Sequence, residues 1–106
     1  MCACQKADCT CKACMHDFGW ALNCLKSGKV VARKGWNGKG QFLVLTPGKS
    51  VSGTNMHDAN VRDYYKNNNV RIMGHIDMKA ADDSYVVGWL ASQTDMLAED
   101  WEVVEV

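Results

Sequence analysis

Eight consecutive residues, Arg33-Lys34-Gly35-Trp36-Asn37-Gly38-Lys39-Gly40, constrain this chain more than any other stretch. A strand-like run, Lys29 to Lys34, leads into them, and a second, Gln41 to Thr46, leads out. An Asn-Gly pair between two such runs is a strong hairpin signal, because the favoured tight turn needs residues that tolerate φ > 0. The three glycines also let the backbone come close to a ligand, and the Trp36 indole offers a face on which a base can stack. Two readings follow from these residues. The turn cradles a flat anionic ligand, or it is a plain hairpin turn whose tryptophan packs on the core, where tryptophans usually lie.

The 106 residues fit one domain with a modest core, a shortage that assembly into a homo-oligomer would relieve. With 47% hydrophobic and 23% charged residues, the profile is that of a globular chain. The formal net charge of zero argues against a protein that gains affinity by neutralising many phosphates of a long nucleic acid. No run approaches the ~20 apolar residues of a membrane helix, and the N-terminus lacks the apolar core of a secretory signal. The chain is expected to remain in the cytosol.

Residues 1–16 read as an appendage. Cys2, Cys4, Cys9, Cys11 and Cys14 sit in polar surroundings directly ahead of His16. Their C-x-C and C-x-x-C spacings suit thiolate ligation of a structural zinc, and a reducing compartment disfavours disulfides. The alternative is a reduced, mobile tail whose thiols bind metal or oxidise only in vitro.

From Asp17 the pattern becomes helical. Phe18, Ala21, Leu22 and Leu25 recur at i, i+3, i+4 and i+7, with Asp17 as N-cap and Gly28 as stop. Trp20 and Cys24 form a second apolar strip, facing the sheet, a subunit or a ligand. After the first hairpin, the polar segment Lys49 to Asn69 reads as a long loop with one helical turn near Asn60 to Tyr65. Ile72 to Ala80 is a third strand region, and Asp82-Asp83-Ser84 turns it into Tyr85 to Trp89. Ser92-Gln93-Thr94-Asp95 has the spacing of a capped helical turn whose N–H groups can meet an anion, and Trp101 to Val106 is a closing strand. The expectation is an α+β fold: a small antiparallel sheet of two hairpins plus a C-terminal strand, packed with one N-terminal amphipathic helix, in a single ligand-binding domain over 17–106.

No Gly-x-Ser-x-Gly elbow, phosphate-binding P-loop or His-Glu-x-x-His helix occurs, and His16, His57 and His75 lie in three different contexts. Asp77, Asp95 and Asp100 are read either as metal ligands or bases, or as caps and solvated charges. Asn37, Gln93 and Thr94 have the amides and hydroxyls that discriminate a nucleotide's edge and ribose.

Four stretches together carry a family resemblance: Asp17 to Leu22, Val31 to Gly40 with its Gly-Trp-Asn-Gly-Lys-Gly, His75 to Lys79, and Trp89 to Trp101 with its Trp-Leu-Ala-Ser-Gln-Thr-Asp. Over about Asp17 to Val104 the chain resembles the phage and prophage family called Thoeris anti-defence protein 2. The resemblance implies a non-catalytic sponge acting in the cytoplasm of an infected bacterium. Such a sponge sequesters glycocyclic ADP-ribose, the signal that Thoeris TIR proteins make from NAD, and in some members the cyclic dinucleotides of CBASS. It also implies a homotetramer with pockets between subunits and no required cofactor. Carried onto this sequence, the resemblance makes Trp36 the first choice for the base stack and Phe18 or Trp20 the second. Arg33 or Lys39 is then expected on the pyrophosphate, and Asn37, Gln93, Thr94 and Asp95 on base and ribose. The cysteine-rich start and the Lys49 to Asn69 connection depart from the family. The rival readings are an enzyme that cleaves the nucleotide and a nucleic-acid-binding accessory module.

Overall fold

The computed structural model describes residues 16–36 and 40–106. The five N-terminal cysteines, Asn37 and Lys39 lie outside the described residues. In chain order the elements are α1 (Phe18–Lys26), β1 (Val30–Arg33), β2 (Phe42–Thr46), β3 (Lys49–Ser52), α2 (Ala59–Tyr65), β4 (Asn69–Ile72), β5 (His75–Lys79), β6 (Tyr85–Val86), α3 (Gln93–Leu97) and β7 (Trp101–Val104). The chain divides into two compact units, one formed by the part up to Leu45 together with Ile76–Val106, the other by Thr46–His75.

The first unit carries a five-stranded sheet in the order β6-β5-β2-β1-β7. β1 runs antiparallel to both β2 and β7, and β5 antiparallel to β6. Register follows from alternation, since neighbouring residues of a strand point to opposite faces. Val31 lies opposite Leu43 on one side and Val103 on the other, and Arg33 lies opposite Trp101. Helix α1 starts where Asp17 accepts the Trp20 N–H at 2.9 Å, and it ends before Gly28, whose φ of 86° suits glycine. Its periodic positions Ala21 and Leu25 are buried with Val31, Leu43 and Trp101 in one core, against which Phe18, Trp36 and Trp89 pack. Burying a leucine-sized side chain contributes about 1.5–3 kcal/mol, so this cluster is the main support of the unit.

The mixed α+β architecture, both hairpins, the C-terminal strand and the N-terminal helix agree with the sequence reading. Two details differ. Lys49 to Asn69 is not a loop with a single helical turn: β3 pairs antiparallel with β4, Val51 opposite Val70, and a 3-10 turn at Gly53–Asn55 and helix α2 connect them. Lys49-Ser50-Val51-Ser52 alternates too little apolar surface to signal a strand; backbone pairing supplies what side chains do not. The expected strand Tyr85 to Trp89 is only two residues long, because Gly88 adopts φ 77° and the chain turns, leaving Trp89 N to donate to Ile76 O at 2.7 Å.

Candidate functional site

The glycine turn leaves β1 at Arg33, whose side chain is clamped by two carboxylates from the C-terminal third of the chain. Nη1 donates to Asp95 Oδ1 and Nε to Asp100 Oδ1, each at 2.8 Å. Asp100 then binds the turn itself, its Oδ2 accepting the Gly35 N–H at 2.7 Å while its backbone oxygen accepts the Lys34 N–H at 3.1 Å. A Cβ added at Gly35 would stand 2.7 Å from that same Oδ2, so the carboxylate can reach the backbone only because residue 35 has no side chain.

Asp95 joins three elements. It accepts the Trp36 indole N–H at 3.1 Å, and its backbone oxygen accepts the Trp101 indole N–H at 3.2 Å. It also closes a capping box on α3, in which Ser92 Oγ accepts the Asp95 N–H and Asp95 Oδ2 accepts the Ser92 N–H. Burial pushes the Asp95 carboxyl up, but hydrogen bonds from Arg33, Trp36 and Ser92 outweigh it and hold the group below the usual aspartate value. Asp100 shows the same balance, with Arg33 and the Gly35 N–H winning over burial. Hydrogen bonds to Asp100 and Asp95 hold Arg33 above its ordinary value, so the cluster is ionised and carries one net negative charge at neutral pH.

Trp36 is therefore locked. Its N–H is spent on Asp95, and its ring meets Trp101 edge-on at 5.4 Å and Trp89 at 6.4 Å between centroids. It packs on the core and also borders a cavity of about 310 Å³, lined as well by Lys34, Gln41, Phe42, Glu102 and Glu105. That volume lies at the lower end of the ~300–1,000 Å³ typical of ligand pockets. A second cavity of about 390 Å³ runs along α1 past Asp17, Trp20, Asn23, Cys24 and Lys29. Burial raises the Cys24 thiol above its ordinary value, more than Lys29 lowers it, so it is not an activated thiolate.

The residues singled out from sequence are thus distributed. Arg33 and Trp36 border the first cavity and are both tied to Asp95. Trp20 borders the second, stacked on His16 at 3.8 Å. Phe18 is half-buried and packs against the core, its ring 5.5 Å from that of Trp101. Gln93 and Thr94 are exposed on the first turn of α3, where the Asp95 carboxylate already occupies the helix start. Lys34, Gln41, Phe42 and Glu102 carry no such signal in the sequence, and Asp100 is legible there only as a metal ligand or base, or as a cap or solvated charge. The one available signal for Asp100 is its place just before Trp101, near the end of the Trp89 to Trp101 stretch that carries the resemblance.

Comparison with known proteins agrees with the resemblance seen in the sequence. The family described as the Thoeris anti-defense 2-like domain matches residues 16–104. A curated relative, Thoeris anti-defense 2 of Bacillus phage SP01, is 38% identical over 87 residues, covering 82% of this chain and 92% of the relative.

Proposed function

The chain belongs to the Thoeris anti-defense 2-like family, and from that premise we propose that it is an anti-defence protein that binds a cyclic nucleotide immune signal and holds it uncleaved. The reading takes glycocyclic ADP-ribose as first ligand and CBASS-type cyclic dinucleotides as second. The observation that carries it is the fixed Trp36, which lines a cavity together with Lys34, Gly40 and Gln41.

A sponge must hold its ligand at low free concentration, so nanomolar affinity, about −12 kcal/mol, sets the scale. Stacking a base on Trp36 contributes roughly 1–3 kcal/mol. The remainder is assigned to polar groups. Two of Arg33's nitrogens are engaged by carboxylates, and the cluster around it is net negative, so in this reading Arg33 and Asp95 position the turn. Lys34 and Lys39 then meet the phosphates, helped by backbone N–H groups of the turn, with Asn37 and Gln41 on the base edge. Glu102 accepts from ribose hydroxyls or an exocyclic amine, contacts that a carboxylate makes well. Gln93 and Thr94 contribute from an adjoining surface if a second subunit closes the cavity.

Assembly into a homotetramer belongs to the same proposal. What supports it is that Val87, Leu90 and Leu97 are 69%, 90% and 78% exposed in the isolated chain, apolar side chains that a subunit contact would cover. None of the described helices is long and apolar enough to cross a membrane.

The test is recovery. The protein is incubated with glycocyclic ADP-ribose, denatured by heat, and the supernatant chromatographed. Intact ligand, released in proportion to protein, supports the sponge; a changed product would make the chain an enzyme. A mobility shift with DNA or RNA that weakens steeply with salt would favour the nucleic-acid module.

A further inference from the structure

Of the four stretches that carry the resemblance, His75 to Lys79 supplies none of the described residues that line the first cavity. Its last residue nevertheless touches two that do. Lys79 Nζ donates to the Gly40 backbone oxygen at 3.1 Å and stands 5.9 Å from the centroid of the Phe42 ring, a cation–π distance. Gly40 and Phe42 both line the cavity that Trp36 borders. The ammonium is itself held, since it pairs at 2.8 Å with Oδ1 of Asp83 on the tight turn that Asp82 closes by accepting the Ser84 N–H at 2.9 Å.

Sheet order explains why a residue 39 positions away reaches Gly40. β1 and β2, the strands on either side of the glycine turn, are flanked by β7 beyond β1 and by β5 beyond β2. Each arm of the turn is gripped from its own outer neighbour. Asp100, just ahead of β7, accepts the Gly35 and Lys34 N–H groups on the entry arm. Lys79, the last residue of β5, donates to Gly40 on the exit arm, and a hydrogen bond from a charged donor is stronger than a neutral one. We propose that Lys79 is a positioning residue for ligand binding: it fixes the Gly40 side of the cavity as Asp95 and Asp100 fix the Trp36 side. The role rests on the sponge reading for its ligand. Without the ammonium, the binding-ready arrangement is only fractionally populated, and apparent affinity falls by that fraction. The loss lies in the association rate, because the bound ligand keeps its own contacts; removing a direct ligand contact would act on dissociation instead.

The test uses the full chain. Lys79→Met keeps an apolar stem near Phe42 and removes the ammonium. The ligand-free protein, confirmed folded by circular dichroism, is read by the 13C resonance of the Gly40 carbonyl, and binding of glycocyclic ADP-ribose by stopped-flow tryptophan fluorescence. In Lys79→Met the Gly40 resonance should move and association should slow about 10-fold, with dissociation changed less than about 2-fold. Lys79→Arg, whose guanidinium has donors for both Gly40 and Asp83, should restore association to within about 3-fold of wild type. An unmoved Gly40 resonance in Lys79→Met overturns the clamp. A moved resonance with unchanged association, a loss confined to dissociation, or no recovery in Lys79→Arg overturns the positioning role. Wild-type protein that binds no glycocyclic ADP-ribose overturns the sponge reading and the positioning role with it, whereas the Gly40 resonance decides the clamp without any ligand.

Discussion

The Trp36 indole N–H donates to Asp95 Oδ1 at 3.1 Å across 59 residues of sequence, and the same oxygen receives Arg33 Nη1 at 2.8 Å. One carboxylate oxygen thus fixes both the strand that enters the glycine turn and the aromatic ring that the turn presents. Rigid support of this kind lowers the ordering cost of binding, because the ring's rotamer is set before a ligand arrives.

Removing the Asp95 carboxylate tests that support. Asp95→Ala deprives Arg33 of one partner, Trp36 of its acceptor and α3 of half its capping box. Hydrogen bonds to charged groups are worth about 1.5–3 kcal/mol, so a loss of about 2–3 kcal/mol in urea unfolding is expected with an unchanged m-value. Asp95→Asn, which keeps the shape, should lose less. An unmoved midpoint for Asp95→Ala would show that the interaction carries no weight.

Substitutions at Trp36 separate stacking from scaffolding. Trp36→Phe keeps an aromatic face but loses the N–H donated to Asp95, and is expected to cost about 1 kcal/mol of stability while weakening ligand binding less than about 10-fold. Trp36→Ala, confirmed folded by circular dichroism, should weaken binding by about 1–3 kcal/mol, the worth of one base stack. Equal affinities in wild type and Trp36→Ala would remove the stack from the account.

Stability should respond to acid through Asp95 and Asp100. Both carboxyls lie below their ordinary value in the folded chain, so the unfolded state binds protons first as pH falls. Their contribution is complete above the unfolded aspartate value of about 3.9, declines as pH drops through and below it, and is lost once the depressed folded values are passed. Melting temperatures across pH 2–7 should show this acid decline, and the decline should be shallower in the double variant Asp95→Asn, Asp100→Asn. Parallel curves for wild type and double variant would refute the linkage.

Two glycines have a steric rationale. Gly35→Ala places a methyl 2.7 Å from Asp100 Oδ2, displacing the carboxylate that the turn's N–H needs. Gly53→Ala places one 2.5 Å from the Lys66 backbone oxygen and 2.6 Å from Tyr65 Cβ, where backbone must give way. Each is expected to destabilise by roughly 1–3 kcal/mol, Gly53→Ala more because its neighbour is main chain. Ligand affinity should fall for Gly35→Ala; titration of the two variants side by side checks this.

Local chemistry made much of this fold legible. Asp17 capping α1, Gly28 ending it, the Ser92 and Asp95 capping box and the alternation around Val31 and Val103 are all decided within a few residues of sequence. The β3–β4 ladder was not legible, since Ser50, Ser52 and Asn69 give a strand no apolar face. The site was legible in kind only. The turn marked Trp36 and Arg33, but nothing local says that Arg33 is held by carboxylates 62 and 67 residues away, or that Asp95 faces Trp36 and not solvent. Phe18 is equally compatible with core and ligand in a helical pattern, and its packing on Trp101 is a tertiary fact.

The central claim, that this chain holds a cyclic nucleotide signal, is tested most directly by titration calorimetry of the purified protein with glycocyclic ADP-ribose. The account predicts saturable binding in the nanomolar range, near −12 kcal/mol, that is reduced in Trp36→Ala. Absence of binding at ligand concentrations of about 100 µM, from protein shown to be folded, would contradict it.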